Sequence, residues 1–442
     1  MKRLIIGIVA LVAIVACADD DHFSTNRNNT LTFSADTLKM DTVFSKVPSA
    51  TYSFWVFNNS SDGIRLSSVR LLNGNQTGFR VNVDGSYLDN DLGSVLNGLE
   101  LRKDDSLRVF VEITAPENGM LQPQVVADYL VFQLESGVEQ RVRLQAHAWD
   151  AIKLTNPVFF TDTTIESQKP IVIYGNGIRV DSNATLTMRN TTLFFHDGAG
   201  IDVYGTLKTE NCVLRGDRLD RMFDYLPYDR VSGQWRGLTF ASSSFGNSLT
   251  DTQIRNAMTA VTIGDSTLVD TLRTAIELTR CVIHNAKGHG VLSTNAKTVL
   301  RYCQLTNTLG DCLLVKGGIC NVDHCTFAQF YPFSADRGAA LRFIGTGDVR
   351  VNCENSILTG YSEDVLMGVR TDTTSVFEYA FTDCLLRTPK VEDDTLNFRN
   401  IIWESPDDSI QGKKHFKVID EENLYYDFHL DTLSTAQGKG CY

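Results

Sequence analysis

The sequence predicts an all-β protein in which a small antiparallel β-sandwich precedes a parallel β-solenoid. The main observation is a small residue in the second half of the chain that is followed two positions later by a bulky apolar residue. Because side chains two positions apart on a strand face the same side, each pair is expected to face a shared core. The eight pairs are Thr191/Leu193, Cys212/Leu214, Thr252/Ile254, Cys281/Ile283, Cys303/Leu305, Cys325/Phe327, Ser356/Leu358 and Cys384/Leu386.

Three of the seven intervals between these pairs are nearly equal. Cys281, Cys303 and Cys325 are 22 residues apart, and Cys212 follows Thr191 by 21 residues. Intervals of this size are typical of stacked repeats, and the longer intervals leave room for loops. A second short apolar strand, usually after a turn with glycine, indicates three strands per coil. Its residues are Ile201/Val203, Val261/Ile263, Val291, Leu313/Val315, Leu341/Phe343 and Val365/Met367.

Side-chain amides follow the small position by four residues, at Asn256, Asn285, Asn307 and Gln329. We expect them at a corner of the coil, where the backbone needs side-chain partners. The interval and this pattern resemble the right-handed parallel β-helix proteins of the pectin lyase fold. The resemblance covers residues 155–442 and implies the fold alone, since the superfamily includes lyases, hydrolases, isomerases, adhesins and passive scaffolds.

Residues 25–150 form a different domain, because they lack the repeat and contain no cysteine. They show short alternating strands at 51–57, 107–113, 129–134 and 142–148, separated by turn residues. This pattern is typical of a β-sandwich and resembles immunoglobulin-like modules, though without their cysteine and tryptophan hallmark. The resemblance implies a spacer, or a cap on the first coil of the helix.

The N-terminus predicts the location of the protein. Lys2 and Arg3 precede an apolar run that ends in Ile14-Val15-Ala16-Cys17. This segment resembles a bacterial lipoprotein signal, which implies that residues 1–16 are removed and that Cys17 carries the lipid. The tether, residues 17–24, contains three aspartates and is similar to the export tag of Bacteroides-group lipoproteins. The expected location is the outer membrane, exposed at the cell surface, with the membrane as partner through the anchor; a plain secretory peptide is the alternative.

The composition of the chain disfavours several classes of binding partner. The formal net charge is −12, and removal of Lys2 and Arg3 with the signal makes it −14. Such a balance argues against nucleic acid and anionic lipid, which need basic patches, and against polyanionic glycans unless calcium bridges them. Five of the ten cysteines occupy the small-residue position, where Thr and Ser also occur. We therefore expect free buried thiols, no metal site and no cofactor.

The largest insertion, residues 215–236, contains the candidate ligand-binding residues. Tyr225, Tyr228 and Trp235 have flat rings that stack on sugars, and Arg236 has hydrogen-bond donors. The alternative is that the aromatic rings pack this loop against the helix.

Two sets of residues are candidates for catalysis. His289 and Asp311 each follow their cysteine by eight positions, so they are expected to lie on neighbouring coils as an acid/base pair. Gly288-His289-Gly290 and Gly310-Asp311-Cys312 resemble motifs of polygalacturonase-type hydrolases, but the order is reversed and one aspartate is missing. Turn formation by the glycines is the alternative for this set.

The second set directly precedes the small position on three successive coils and consists of Arg280, Tyr302 and His324. A polysaccharide lyase needs a cation, a base and an acid, and these three side chains suit those tasks. The alternative is an ordinary solvated sheet face.

The expected function is a lipid-anchored β-helix protein that binds glycans or serves in adhesion or as a scaffold, without catalysis. A polysaccharide lyase or glycoside hydrolase of the pectin lyase fold is the alternative. The non-catalytic function is favoured because neither candidate catalytic set is complete. Residues 426–440 are predicted to form the last coil.

Overall fold

The computed structural model describes residues 22–266, 269–404 and 412–442. The predicted signal peptide, Cys17 and most of the tether lie outside the described residues. The chain divides into two compact units, Met1–Asp150 and Ala151–Tyr442. In the described ranges, no helix is long and apolar enough to cross a lipid bilayer.

The first unit is a β-sandwich of two five-stranded sheets, antiparallel apart from the parallel pair Thr37–Phe44 and Glu139–Trp149. Along its strands, buried residues such as Phe54 and Val56 alternate with outward residues such as Trp55. This alternation is the one that the sequence shows. In spatial order, the first sheet contains Thr32–Phe33, Tyr52–Phe57, Ser106–Ile113, Phe79–Val83 and Ser86–Tyr87, and the second contains Thr37–Phe44, Glu139–Trp149, Gln124–Leu134, Ile64–Leu71 and Val95–Leu101.

The second unit is a parallel β-helix with three strand positions per coil, here called faces 1, 2 and 3 in chain order. Face 1 is a sheet of eleven strands, all paired in parallel. Its strands are Ile152–Thr155, Ile171–Tyr174, Thr192–Phe195, Val213–Gly216, Gln253–Arg255, Val282–His284, Gln304–Thr306, Thr326–Gln329, Ile357–Gly360, Leu385–Leu386 and Ile402–Trp403.

Faces 2 and 3 belong to one sheet, because three long strands bend from one face into the other. These strands are Val291–Arg301, Leu313–Asp323 and Leu341–Glu354. Face 2 also contains Val158–Phe159, Gly177–Val180, Gly200–Val203, Gly237–Phe240, Val261–Ile263 and Leu366–Arg370. Face 3 also contains Thr163–Glu166, Thr185–Arg189, Thr206–Glu210, Asn247–Thr250, Asp270–Thr279, Phe377–Thr382 and Phe398–Arg399.

The small residues that the sequence singled out stand at the start of face 1 and point into the core. All eight are buried, and the cysteines among them are free thiols. Cys303 and Ser356 show why Cys, Ser and Thr share this position, since each donates a hydrogen bond to the carbonyl two residues earlier, at 3.3 and 2.6 Å. The position therefore requires a compact side chain at the corner before face 1, and Cys and Ser satisfy a backbone carbonyl there as well.

That corner has a fixed backbone conformation. The residue just before each small residue is left-handed, with φ between 47° and 56°. Asn and Asp tolerate this conformation best among residues other than glycine. The corner residues are Asn190, Asn211, Asp251, Arg280, Tyr302, His324, Asn355, Asp383 and Asn400. The opposite end of face 1 has a second left-handed corner at Asn256, Asn285 and Asn307, with φ of 62°, 61° and 54°. With the parallel coils in place, the predicted fold class is confirmed.

Candidate functional site

The outer surface of face 1 changes character along the helix. The outward side chains at one position of each face 1 strand form a column, in register across successive strands. These side chains are polar in the middle coils, then apolar, and finally polar and buried near the end of the helix. The members of the column are Phe194, Arg215, Arg255, His284, Thr306, Ala328, Thr359, Arg387 and Glu404.

The C-terminal segment, residues 412–442, covers the apolar part of this surface. Its two antiparallel strands, Phe416–Asp420 and Tyr425–Leu430, form the C-terminal hairpin. The predicted last coil at 426–440 is therefore wrong, because this hairpin packs on the outside of face 1 and does not extend it. Both faces of the covered strands are apolar, so they need this cover. The outer cluster consists of Ala328, Phe330, Ile357, Leu385, Phe416, Phe428 and Ala436.

A buried polar cluster fastens the segment to the helix. Glu404 accepts a hydrogen bond from Thr359 at 2.7 Å and lies 3.3 Å from the Arg387 guanidinium, with both charged side chains almost fully buried. His415, which belongs to the C-terminal segment, lies 3.8 Å from the same carboxylate and contacts Ser434 at 3.0 Å. Burial raises the pKa of Glu404 and lowers that of His415 to about 4.

A cleft of about 490 Å³ lies beside this covered part, over the polar middle coils of face 1. Face 1 is its floor, the C-terminal hairpin is one wall, and the insertion at 215–236 is the other. Arg230 of the insertion donates to the Asn423 carbonyl in the hairpin, so the two walls are linked. The cleft combines strand-mounted polar groups with aromatic rings, which is typical of small-molecule and sugar sites.

Hydrogen-bonding groups on the floor are only partly satisfied. Both polar atoms of the Asn307 amide are buried without a partner, and the residue is 1% exposed. The Arg255 guanidinium donates to Gln253 at 2.7 Å, while its Nε is buried without a partner. His284 Nδ1 lies 2.8 Å from the Thr306 hydroxyl. Burial, with a smaller effect from the charge of Arg255, lowers the pKa of His284 to about 4, so the ring is neutral at pH 7.

Aromatic rings form the rim of the cleft. Tyr425, Phe333 and Tyr442 line it and are about half exposed, at 54%, 48% and 48%. The Tyr442 hydroxyl donates to Gln304 at 2.8 Å, and its ring stacks on His429 with 4.0 Å between centroids. The rim is therefore partly ordered by contacts with the floor and leaves ring faces accessible.

The insertion places its predicted ligand-binding residues differently. The prediction that the Trp235 ring binds a ligand is corrected, because this ring is only 1% exposed and stacks on Phe195 with 4.3 Å between centroids. Its Nε1 donates to the Arg255 carbonyl at 2.8 Å. The Arg236 guanidinium makes two hydrogen bonds to Asp202, at 2.6 and 2.7 Å, which fasten the loop to the helix. Large aromatic rings are buried wherever packing allows, and here it does.

Tyr225 and Tyr228 stay near the surface but do not share a site. Tyr225 is 77% exposed at the tip of the hairpin Arg221–Phe223 and Leu226–Pro227, where it stacks on the Phe223 ring. Tyr228 is half-buried, with the Arg218 guanidinium 3.9 Å above its ring. Neither tyrosine lines the cleft, although Asp229 and Arg230, which directly follow Tyr228, do line it.

His289 and Asp311 lie as close as their spacing predicts, with 3.6 Å between His289 Nδ1 and the carboxylate. However, Nδ1 accepts the backbone N–H of Asp311 at 3.0 Å, so it carries no proton. The carboxylate accepts from the Ala339 N–H at 2.7 Å and from Arg342 at 3.0 Å. In this geometry the carboxylate does not hold a proton on the imidazole, which favours the turn alternative, and the acid/base role stays a prediction.

Arg280, Tyr302 and His324 all lie in the left-handed corner before face 1, at φ of 50°, 54° and 49°. Arg280 makes two hydrogen bonds of 2.7 Å to Asp251, the corner residue of the preceding coil. The rings of Tyr302 and His324 stack with 5.0 Å between centroids. The three residues occupy a backbone position that other coils fill with Asn or Asp, so their alignment follows from the turn.

One polar trio escaped the sequence interpretation. His196 Nδ1 lies 2.7 Å from the largely buried carboxylate of Asp217, and the Tyr174 ring lies against the imidazole, with 5.2 Å between centroids. Tyr174 is the last residue of its face 1 strand, and His196 and Asp217 directly follow the next two strands of that face. Burial and the charge of Asp217 raise the pKa of Tyr174. In the sequence, the regular spacing of positions 174, 196 and 217 is the signal that indicates that these three residues lie together.

Within residues 22–266, 269–404 and 412–442, no group of three or more His, Cys, Asp or Glu side chains is arranged to hold a metal ion.

The chain matches no known protein family and no curated protein. The catalytic unit of a GH87 α-1,3-glucanase from Streptomyces thermodiastaticus is 8% identical at a TM-score of 0.21, over 80% of this chain and 89% of that one. A PapD-like domain of human CEP192 is 11% identical at 0.19, over 29% and 91%. A family 123 glycoside hydrolase from Clostridium perfringens is 10% identical at 0.19, over 29% and 30%. Similarities this low assign no family to the chain.

Proposed function

We propose that this protein is a lipid-anchored cell-surface β-helix protein that binds a glycan in the cleft on face 1 without processing it. The cleft itself is the observation that carries the proposal. Its floor offers amide, guanidinium and imidazole groups, two of which include buried atoms without partners, at Asn307 and Arg255. Its rim offers exposed rings at Tyr425 and Phe333.

This combination suits a sugar better than an apolar ligand. A sugar ring presents C–H groups that pack on aromatic faces and hydroxyl groups that pair with amides. Buried polar groups without partners cost free energy, so a ligand that satisfies them binds more tightly. The groups stand on parallel strands, which hold them in place and reduce the ordering that binding requires.

The charged side chains at the cleft argue against turnover by two carboxylates. Inverting and retaining glycosidases both need two carboxyl groups that are available to the substrate. The Asp229 carboxylate lies 2.8 Å from Arg215, and the Asp427 carboxylate lies 2.6 Å from His429. Both acids are engaged by neighbouring side chains, so binding and adhesion fit the cleft better than hydrolysis.

The test is a panel of polysaccharides presented to the purified full-length protein. We expect retention on at least one glycan, with no new reducing or unsaturated ends. Tyr425→Ala should weaken that retention by about 1–3 kcal/mol, because an aromatic anchor at a rim contributes to binding. Tyr225→Ala removes an even more exposed tyrosine ring outside the cleft and is the matched control. Retention that neither variant changes, or that only Tyr225→Ala changes, would contradict the cleft as the site.

A second candidate function rests on His196, Asp217 and Tyr174. A histidine oriented by a buried carboxylate is a general acid/base arrangement, and a tyrosine beside it is a further proton donor. The corresponding activity is that of a polysaccharide lyase or glycoside hydrolase. Turnover on the panel that His196→Ala abolishes, while retention persists, would support this candidate and exclude the non-catalytic proposal. The absence of any turnover would leave glycan binding.

A further inference from the structure

We infer that the glycan bound in the cleft carries an anionic substituent, a carboxylate or a sulfate ester, and that Arg255 binds it. This inference rests on the proposed function and specifies its ligand class. The cleft belongs to a protein with a formal net charge of −12, so a cationic site there requires local evidence.

Two arginines are neighbours on face 1, and one of them, Arg255, lines the cleft. Arg215 and Arg255 directly follow the paired residues Leu214 and Ile254 on adjacent parallel strands, which puts them in the same outward column. Like charges on neighbouring strands destabilise a sheet unless something compensates them. Asp229 compensates Arg215, with 2.8 Å between the guanidinium and the carboxylate. The charge of Asp217 also acts on Arg215, so both of these acids compensate Arg215, and a positive charge remains at Arg255.

The Arg255 side chain has an uncharged partner. Its guanidinium donates to the Gln253 amide at 2.7 Å, and its Nε is buried without a hydrogen bond. Throughout the part of the chain that the structure describes, no carboxylate forms an ion pair with Arg255. Asp427, the other acid in the lining, lies 2.6 Å from His429. A half-buried guanidinium in this state gains more from an anion than a solvated one does.

The surroundings hold Arg255 in position. Its carbonyl accepts the indole N–H of the buried Trp235, and its strand pairs with Val282–His284. His284, the next residue in the column, is neutral at pH 7, because burial lowers its pKa to about 4. The positive charge on this part of the floor therefore resides on arginine, while His284 and Asn307 are left for uncharged hydroxyl groups.

The experiment uses full-length protein in detergent micelles and three small ligands. Methyl glucoside, methyl glucuronoside and methyl glucoside 6-sulfate differ only in the charged group, and affinities are measured by calorimetry or NMR titration. We expect at least one anionic ligand to bind at least about tenfold more tightly than the neutral one, the effect of a charge-assisted hydrogen bond. The ligand that shows the preference distinguishes a carboxylate from a sulfate.

Variants connect the preference to the residue. Arg255→Gln should make the three affinities equal, whereas Arg255→Lys should retain part of the preference because it keeps the charge. Arg350→Gln is the matched control, since Arg350 lies on face 3 and pairs with Glu378 at 2.8 Å. Unchanged thermal unfolding of each variant confirms that it folds. The preference of the wild type should also decline with added salt.

Three outcomes would overturn the inference. They are no preference in the wild type, a preference that survives in Arg255→Gln, and a preference that Arg350→Gln removes equally. Neutral glycans that bind with dependence on Tyr425 but without any charge preference contradict the inference alone. A protein that retains no glycan on the panel contradicts the proposed function as well.

Discussion

Tyr302 has a left-handed backbone at a corner where most coils place Asn or Asp. A left-handed residue with a branched or bulky side chain costs about 1–2 kcal/mol, and Asn lowers that cost through local hydrogen bonds. We therefore expect Tyr302→Asn to be more stable than Tyr302→Val by about 1 kcal/mol or more. Thermal and urea unfolding of the two variants measures the difference.

The same pair of variants separates a turn role from a catalytic role. The Tyr302 side chain is 44% exposed and stacks on His324, so both substitutions remove the same ring contact. The difference in stability between the two variants therefore reports the cost of the left-handed backbone conformation. Equal stability of the two variants would contradict the left-handed assignment at this corner.

Trp235 and Tyr225 show how burial divides two aromatic residues of one loop. Trp235→Ala should destabilise the helix by about 3–5 kcal/mol, because it leaves a cavity against Phe195 and removes the indole hydrogen bond. Tyr225→Ala should change stability by less than about 0.5 kcal/mol, since the ring is 77% exposed. Denaturant midpoints measured on both variants test this, and comparable midpoints would mean that the indole is not part of the core.

At the level of strands and hairpins, the sequence predicted the coils well because each coil repeats. Cys281, Cys303 and Cys325 recur in register, and one inward column is enough to reveal face 1. The corner is also a column in the sequence, but the side chains of Arg280 and Tyr302 suit chemistry, and their identity does not reveal the left-handed backbone. Left-handed positions become evident only when Asn190, Asn211 and Asn355 are aligned with them.

The C-terminal hairpin and the cleft could not be predicted from the repeat, since each occurs once. A local sequence signal did exist. Ile357-Leu358 and Leu385-Leu386 place apolar residues on both sides of their strands, which requires a cover over the outer side. The sequence does not state which segment supplies that cover. The cleft lies beside the part of face 1 that this segment covers, and so its position follows from tertiary packing.

The attachment of the C-terminal segment should depend on pH through His415. Burial lowers the pKa of His415 from the ordinary 6.5 to about 4, with further contributions from Lys414 and Arg387. Between these values the unfolded segment binds a proton that the docked segment does not, so stability falls as the pH falls from 6.5 to 4. The slope for one group is at most about 1.4 kcal/mol per pH unit.

Hydrogen exchange of the C-terminal hairpin over this pH range measures the effect, and His415→Gln is the comparison. Glu404, whose pKa burial raises, contributes with the opposite sign and is present in both proteins. The difference between the two slopes therefore belongs to His415. Protection factors that run parallel with pH in the two proteins would show that this histidine does not control docking.

For the whole molecule, net charge and local charge give different information. The acidic balance of −12 argues against partners that need extended basic surfaces, such as nucleic acid. It does not describe the cleft, where Arg255 keeps its charge beside a neutral histidine. A protein can therefore be acidic overall and still select a single anionic group, provided that the rest of the ligand is neutral.

The proposed location depends on one thiol outside the described residues. Since the lipoprotein signal requires Cys17 for acylation, Cys17→Ala should move the protein from the membrane to the soluble fraction. Fractionation after a salt wash measures this, because salt removes proteins held by charge and leaves those held by lipid. Protease added to whole cells then tests exposure, as a surface protein is degraded and a periplasmic one is protected. Wild-type protein that stays intact on whole cells would contradict surface display, and a Cys17→Ala variant that still sediments with outer membranes would contradict the anchor.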